Sequence, residues 1–225
     1  MMTSTLNSTV VAQYLADNPG FFQEHAALLA RIQLSSTLTG RTVSLQERQI
    51  EVLREKYKGL ELRMAELVRV AQENDAITRK LQSWTRALLM ARNDVDMPHT
   101  LNTGLQSIFS VPHVTLRIWR VAPDYAHTWY AQGVSENTKI FASSLQAPYC
   151  GKNNDFEAVK WLEDAQDVES TALLPLRIDA EAGKETFGLL VLGSPDANRF
   201  HTGMATDFLA EIGKSASAAL VCLLD

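Results

Sequence analysis

A chain of 225 residues is long enough for one sizeable globular domain with an extension, and 46% hydrophobic with 21% charged residues excludes a wholly disordered chain. A formal net charge of -5 without clustered Lys and Arg argues against nucleic-acid binding as the main function, because a duplex-binding face must displace phosphate counterions. The two cysteines, Cys150 and Cys222, have neither a disulfide-framework nor a metal-ligand spacing and fit a reducing compartment.

The stretch Met1 to Asn18 is polar and acidic rather than basic then apolar, so it does not read as a secretory signal. No apolar run approaches the roughly 18 residues that span a bilayer, and a cytoplasmic protein without a membrane partner is expected. Residues 1–43 read as a short helical region. Val10, Val11, Tyr14 and Leu15 form one apolar stripe at helical spacing. Asn18-Pro19-Gly20 interrupts it, with Asn18 placed to N-cap a second helix that carries Phe21, His25, Leu28 and Ile32 on one face. Helices this short cannot bury their apolar faces alone, so they either cap the rest of the molecule or dock a partner.

Residues 44–95 read as one long helix. Ser44-Leu45-Gln46-Glu47 is a capping box, and no proline follows until Pro98. Ile50, Leu53, Tyr57, Leu60, Met64 and Leu67 alternate three and four apart, the spacing of a heptad seam. A second run, Ile77, Leu81, Trp84 and Leu88, with Val70 before it and Asn74 in the seam, continues in a shifted phase. The join at Leu67 to Val70 therefore reads as a three-residue stammer. Such an apolar face needs a cover, either an intramolecular bundle or a second copy of the helix. The spacing favours a homodimeric coiled coil with these residues as its interface and Asn74 as a register-setting polar position.

Residues 96–225 are mixed. Thr100 to Phe109 is helical in pattern, Val114 to Trp119 alternates as a strand, and Thr128 to Ala131 reads as a second strand. The span 133–168 holds a loop, a short strand and a helix around Val159 to Leu162. Thr171 to Ile178 and Thr186 to Leu192 form a hairpin, and Phe187 to Leu192 is apolar on both faces, as a central strand is. A last helix runs from about Thr202 to Leu224, with Met204, Phe208, Ile212, Ala216, Ala219 and Leu223 on one side. The expected class is α+β: an antiparallel sheet with the terminal helices on one face and 133–168 covering the other.

Leu174-Pro175-Leu176, Phe187 to Ser194 and Arg199-Phe200 resemble the closing half of a GAF domain. Three further stretches, Tyr14-Leu15 with Asn18 to Phe22, Val43-Ser44-Leu45 and Glu47-Arg48-Gln49, are similar to the bacterial "domain of unknown function 484" family. That resemblance implies a GAF-like fold behind a helical N-terminal region in a cytoplasmic bacterial protein. It brings no established activity. GAF domains in general bind small molecules, dimerise through flanking helices or persist as structural modules. The Asn-Lys-x-Phe-type motif of the cyclic-nucleotide group is not found in this sequence.

Catalytic signals are weak throughout. Gly183-Lys184-Glu185-Thr186 has Ile178 where a phosphate loop needs glycine, and Gly193-Ser194-Pro195 lacks the second glycine of a nucleophile elbow. The five histidines show no paired ligand spacing, and Asp94, Asp96 and His99 read as a solvated helix end. The expectation is no catalytic residue, no metal ligand and no recognisable nucleotide motif, with the cofactor unknown. Candidate ligand-binding residues are Arg117, Trp119, Tyr130, Tyr149, Cys150, Gly151 and Trp161, since aromatics with one Arg suit a planar or anionic ligand. The same aromatics could instead be core. No output domain follows Asp225, so a sensor reading requires an unidentified protein partner in trans.

Overall fold

Residues 7–31, 33–35, 42–91, 93–180, 183–203 and 206–225 are described by the computed structural model of the chain. It divides into two units, Met1–Gln72 and Glu73–Asp225.

In the first unit, α1 (Ser8–Asp17) is N-capped by Asn7, whose Oδ1 accepts from Thr9 N at 3.2 Å. Asn18 ends α1 rather than opening the next helix. Its backbone N–H and its side-chain Nδ2 both donate to Tyr14 O, at 3.0 and 2.9 Å. The following helix is split into α2 (Phe21–Glu24) and α3 (Ala26–Arg31). Ile32 lies outside the described residues. A small antiparallel hairpin that the sequence pattern did not disclose, β1 (Gln33–Ser35) with β2 (Thr42–Ser44), leads into α4 (Leu45–Leu89).

Helix α4 is continuous over 45 residues, about 68 Å at 1.5 Å per residue, through the point where a stammer was expected. What changes there is the cover. Ile50, Leu53, Tyr57, Leu60, Met64 and Leu67 are 48–70% exposed. Trp84 and Leu88 are 0% and 4% exposed, and Leu81 packs against the same core. Spacing placed Leu81, Trp84 and Leu88 in the dimer interface; they belong instead to the core of the second unit.

In the second unit the sheet runs β3 (His113–Ile118), β6 (Gly183–Ser194), β5 (Ser170–Ala180), β4 (Tyr149–Lys152), with every neighbouring pair antiparallel. Two-residue periodicity sends alternate side chains to opposite faces. Leu116, Leu174, Leu190 and Leu192 meet α5 (Met97–Phe109), α7 (Asp207–Leu220) and the end of α4. Leu173, Leu189 and Val191 meet α6 (Glu136–Ser144) and the 156–168 segment, through Ala142, Val159 and Leu162. A bulge between Leu176 and Arg177 skips Phe187, which joins the helix-side core. Trp84 lies across Gly104 of α5, where an added Cβ would stand 2.6 Å from Trp84 Cδ1, and its Nε1 donates to Leu101 O at 3.3 Å.

Thr128 to Ala131 is not a strand; the fourth strand is Tyr149–Lys152. Arg120 adopts a left-handed φ of 73°, and Ala122 N then donates to Leu223 O, which turns the chain away from the sheet. Thr128 is held in a turn by Tyr125 O, and Tyr130 offers the sheet only its carbonyl, accepting from Ile118 N at 2.7 Å. The helix expected near Val159 is the short 3-10 turn Glu157–Trp161. On the last helix, Met204 lies outside the described residues.

Beyond Leu173, β5 has no outer strand among the described residues, because β4 pairs only with Ser170 to Leu173. Pro175 carries no N–H there, and the N–H of Arg177 donates to Ser217 Oγ of α7 at 2.9 Å.

Candidate functional site

The covered sheet face carries one unusual charge. Arg117, on β3, lies against two indoles, its guanidinium carbon 5.6 Å from the Trp129 ring centre and 5.4 Å from that of Trp161. One terminal nitrogen donates to Thr115 Oγ1 at 3.2 Å and Leu116 O at 2.9 Å. Its Nε is buried without a partner, and no carboxylate pairs with it among the described residues. Burial lowers the Arg117 pKa, as expected for a cation partly removed from water.

The neighbouring candidates are committed to packing. Trp119 Nε1 donates to Thr186 O at 2.9 Å, and Tyr149 Oη to Lys152 O at 3.0 Å. Phe156 stacks tilted on Phe141 at 5.5 Å and meets Tyr149 edge-on at 5.0 Å. An added Cβ at Gly151 would stand 2.8 Å from Tyr149 Oη, so the tyrosine hydroxyl would have to turn aside. Gly151→Ala is accordingly expected to cost about 0.5–1.5 kcal/mol, the worth of the Tyr149 to Lys152 hydrogen bond that the shift breaks, read by chemical denaturation.

Five of the seven candidates, Arg117, Trp119, Tyr149, Gly151 and Trp161, lie on or beside this face. The other two do not join them: Cys150 and Tyr130 belong to the helix-side core. Tyr130 is 1% exposed, and its hydroxyl has no hydrogen-bond partner among the described residues. Burial pushes the Cys150 thiol up to about 11, so it stays protonated and unreactive at neutral pH. Iodoacetamide at pH 8 should therefore label the exposed Cys222 well ahead of Cys150, as peptide mass spectrometry would read.

None of the seven lines either of the two cavities described. One, of about 170 Å³, lies beside α6 between Phe141 and Phe156. The other is an open groove of about 730 Å³ along the uncovered part of β5, between α7 and the 146–148 loop. Its walls include Pro175, Ile178, Gly213 and Val221, with Arg177 and Lys214 as its cations. Arg177 Nε donates to Thr186 Oγ1 at 3.1 Å, and its guanidinium also bonds Leu145 O. Lys214 pairs with Glu211 at 2.6 Å. Sequence reasoning missed Trp129, the second indole on Arg117, because it read that segment as a strand. It missed Arg177 because only the fold brings Leu145 and Ser217 to it.

The sequence profile of a family described as "Protein of unknown function, DUF484" matches residues 1–219. No curated protein matches the chain. Among solved structures, the GAF domain of potassium sensor histidine kinase KdpD from Escherichia coli is similar at 15% identity and TM-score 0.40, covering 65% of this chain and 94% of that one. The GAF domain from Acinetobacter phosphoenolpyruvate-protein phosphotransferase is similar at 11% identity and TM-score 0.45, covering 67% and 93%. A GAF domain of a protein described as a sensor histidine kinase from Pseudomonas syringae pv. tomato aligns at 18% identity and TM-score 0.42, covering 68% and 90%. No described helix is long and apolar enough to cross a membrane.

Proposed function

We propose, for a chain that belongs to the DUF484 family of proteins of unknown function, a non-catalytic regulatory role in the cytoplasm. Its GAF-like domain binds a small anionic molecule, and a dimeric coiled coil passes the signal to a partner protein in trans. The observation that carries the ligand half is Arg117: a half-buried cation whose Nε is buried and unpartnered, with no carboxylate paired to it among the described residues and two indoles against its guanidinium. Leaving such a donor unmade costs about 1–3 kcal/mol, which an anion would recover. The dimer half rests on the seam from Ile50 to Leu67, where burying each side chain contributes about 1.5–3 kcal/mol. Helix α4 supplies the connection, since Trp84 and Leu88 sit in the domain core while the seam lies on the same helix.

A second reading, a dimeric scaffold without ligand, is favoured by the filled sheet face: Tyr149, Phe156 and Trp161 pack there and line no sizeable cavity.

Native mass spectrometry of the full-length protein, followed by denaturation, separates the two. A dimer with a retained small acid supports the first reading, and a clean dimer the second. A monomer overturns the coiled coil in both. Arg117→Met adds a check: the retained mass should disappear completely if the guanidinium holds it. An unchanged retained mass would remove Arg117 from the site.

A further inference from the structure

The coil residues carry more than the fact of association. Resting on the dimeric reading above, we propose that the seam of α4 forms a parallel, in-register two-stranded coiled coil with a second copy of this chain. The spacing fixes the heptad letters: Ile50, Tyr57 and Met64 take a, and Leu53, Leu60 and Leu67 take d. Leucine at every d position and β-branched Ile50 at the first a position suit two strands if the coil is parallel, while Tyr57 and Met64 at the other a positions are neutral.

The flanking charges choose the direction. In the parallel arrangement a g residue meets the e residue five positions further along its partner. Lys56 then faces Glu61 of the second copy, twice by symmetry, while Gln49 faces Arg54 and Arg63 faces Val68. The antiparallel alignment that buries all six seam residues sets Ile50 against Leu67 and Tyr57 against Leu60. It gains Arg54 beside Glu61 but forces Lys56 against Arg63, also twice. Charges on the outer face pair within the helix: Arg48 with Glu51 at 2.9 Å and Arg69 with Glu66 at 2.6 Å. Among the described residues, neither Lys56 nor Glu61 has an ion-pair partner on its own chain. The flanks are left for the partner helix. The seam ends where α4 meets its own domain, since Ala71, Asn74 and Thr78 continue it with small or polar side chains.

Charge reversal reads the direction with opposite signs. Lys56→Glu sets like charges at both flanks of a parallel coil and should raise the dimer dissociation constant about tenfold. In the antiparallel coil the same change replaces repulsion by attraction and should tighten the dimer. Lys56→Glu with Glu61→Lys should restore the parallel dimer. Disulfide trapping in a Cys222→Ser background gives an independent reading. Leu53→Cys alone should cross-link the parallel dimer, whereas the antiparallel one should link only a mixture of Leu53→Cys and Met64→Cys chains. Weakening by Lys56→Glu with a Leu53→Cys cross-link supports the proposal. Tightening with only the mixed cross-link overturns the direction and leaves the dimer standing. A monomer overturns both, and a trimer or larger oligomer overturns the two-stranded coil.

Discussion

Replacing Trp84 by alanine should lower the stability of the second unit by about 3–5 kcal/mol, the range for removing a buried aromatic side chain. Trp84 is fully buried, donates to Leu101 O at 3.3 Å and meets Phe109 edge-on at 6.4 Å. Its indole also occupies the space that Gly104 leaves open, so the loss exposes a void against α5 that a helix backbone cannot readily close. The melting temperature should fall by roughly 10 °C. Gly104→Val acts on the same contact from the other side, since any Cβ there collides with the indole. A Trp84→Ala protein that melts within about 2 °C of the parent would place the end of α4 outside the cooperative core.

Leu53→Asp with Leu60→Asp should abolish dimerisation, raising the dissociation constant at least about a thousandfold, because four carboxylates would enter a dry seam. Both leucines are more than 60% exposed in the single chain, so they support no intramolecular core. The variant should therefore keep the melting transition of the second unit. Helicity should fall, since an amphipathic helix without a partner is marginal in water. Sedimentation equilibrium read beside thermal unfolding checks both halves. A variant that stays dimeric would move the interface away from residues 50–67, and one whose second unit melts early would show that the seam packs on its own chain.

Much of the fold was legible because it follows local periodicity. The heptad of α4, the alternation of β3 and the doubly apolar run of β6 each announce their element without any tertiary information. The failures came where a distant contact decides. Trp84 and Leu88 share helical spacing with Leu67, and nothing local says that α5 covers the first two and leaves the third bare. Thr128 to Ala131 is β-rich in composition, yet the left-handed turn at Arg120 and the hydrogen bond from Ala122 to Leu223 carry it off the sheet. The seven candidate ligand residues were chosen by type from neighbouring segments. Cys150 fell on the wrong face because the alternation of β4 puts it opposite Tyr149 and Gly151, and Tyr130 because the segment that carries it is a turn and not a strand. The alternation of β3 puts Arg117 on the covered face, but its contact with Trp129 needed the turn.

The bare stretch of β5 has a bearing on how the chain behaves when crowded. An open strand edge recruits other strands and grows without limit, the route to aggregates and fibres. Pro175 offers a recruited strand no donor, and Ser217 already holds the amide of Arg177, so two successive footholds are closed. Ser217→Ala frees that amide while leaving the sheet register intact. A concentrated Ser217→Ala sample should then lose solubility faster than the parent on mild heating, a vulnerability that the wild-type serine guards against.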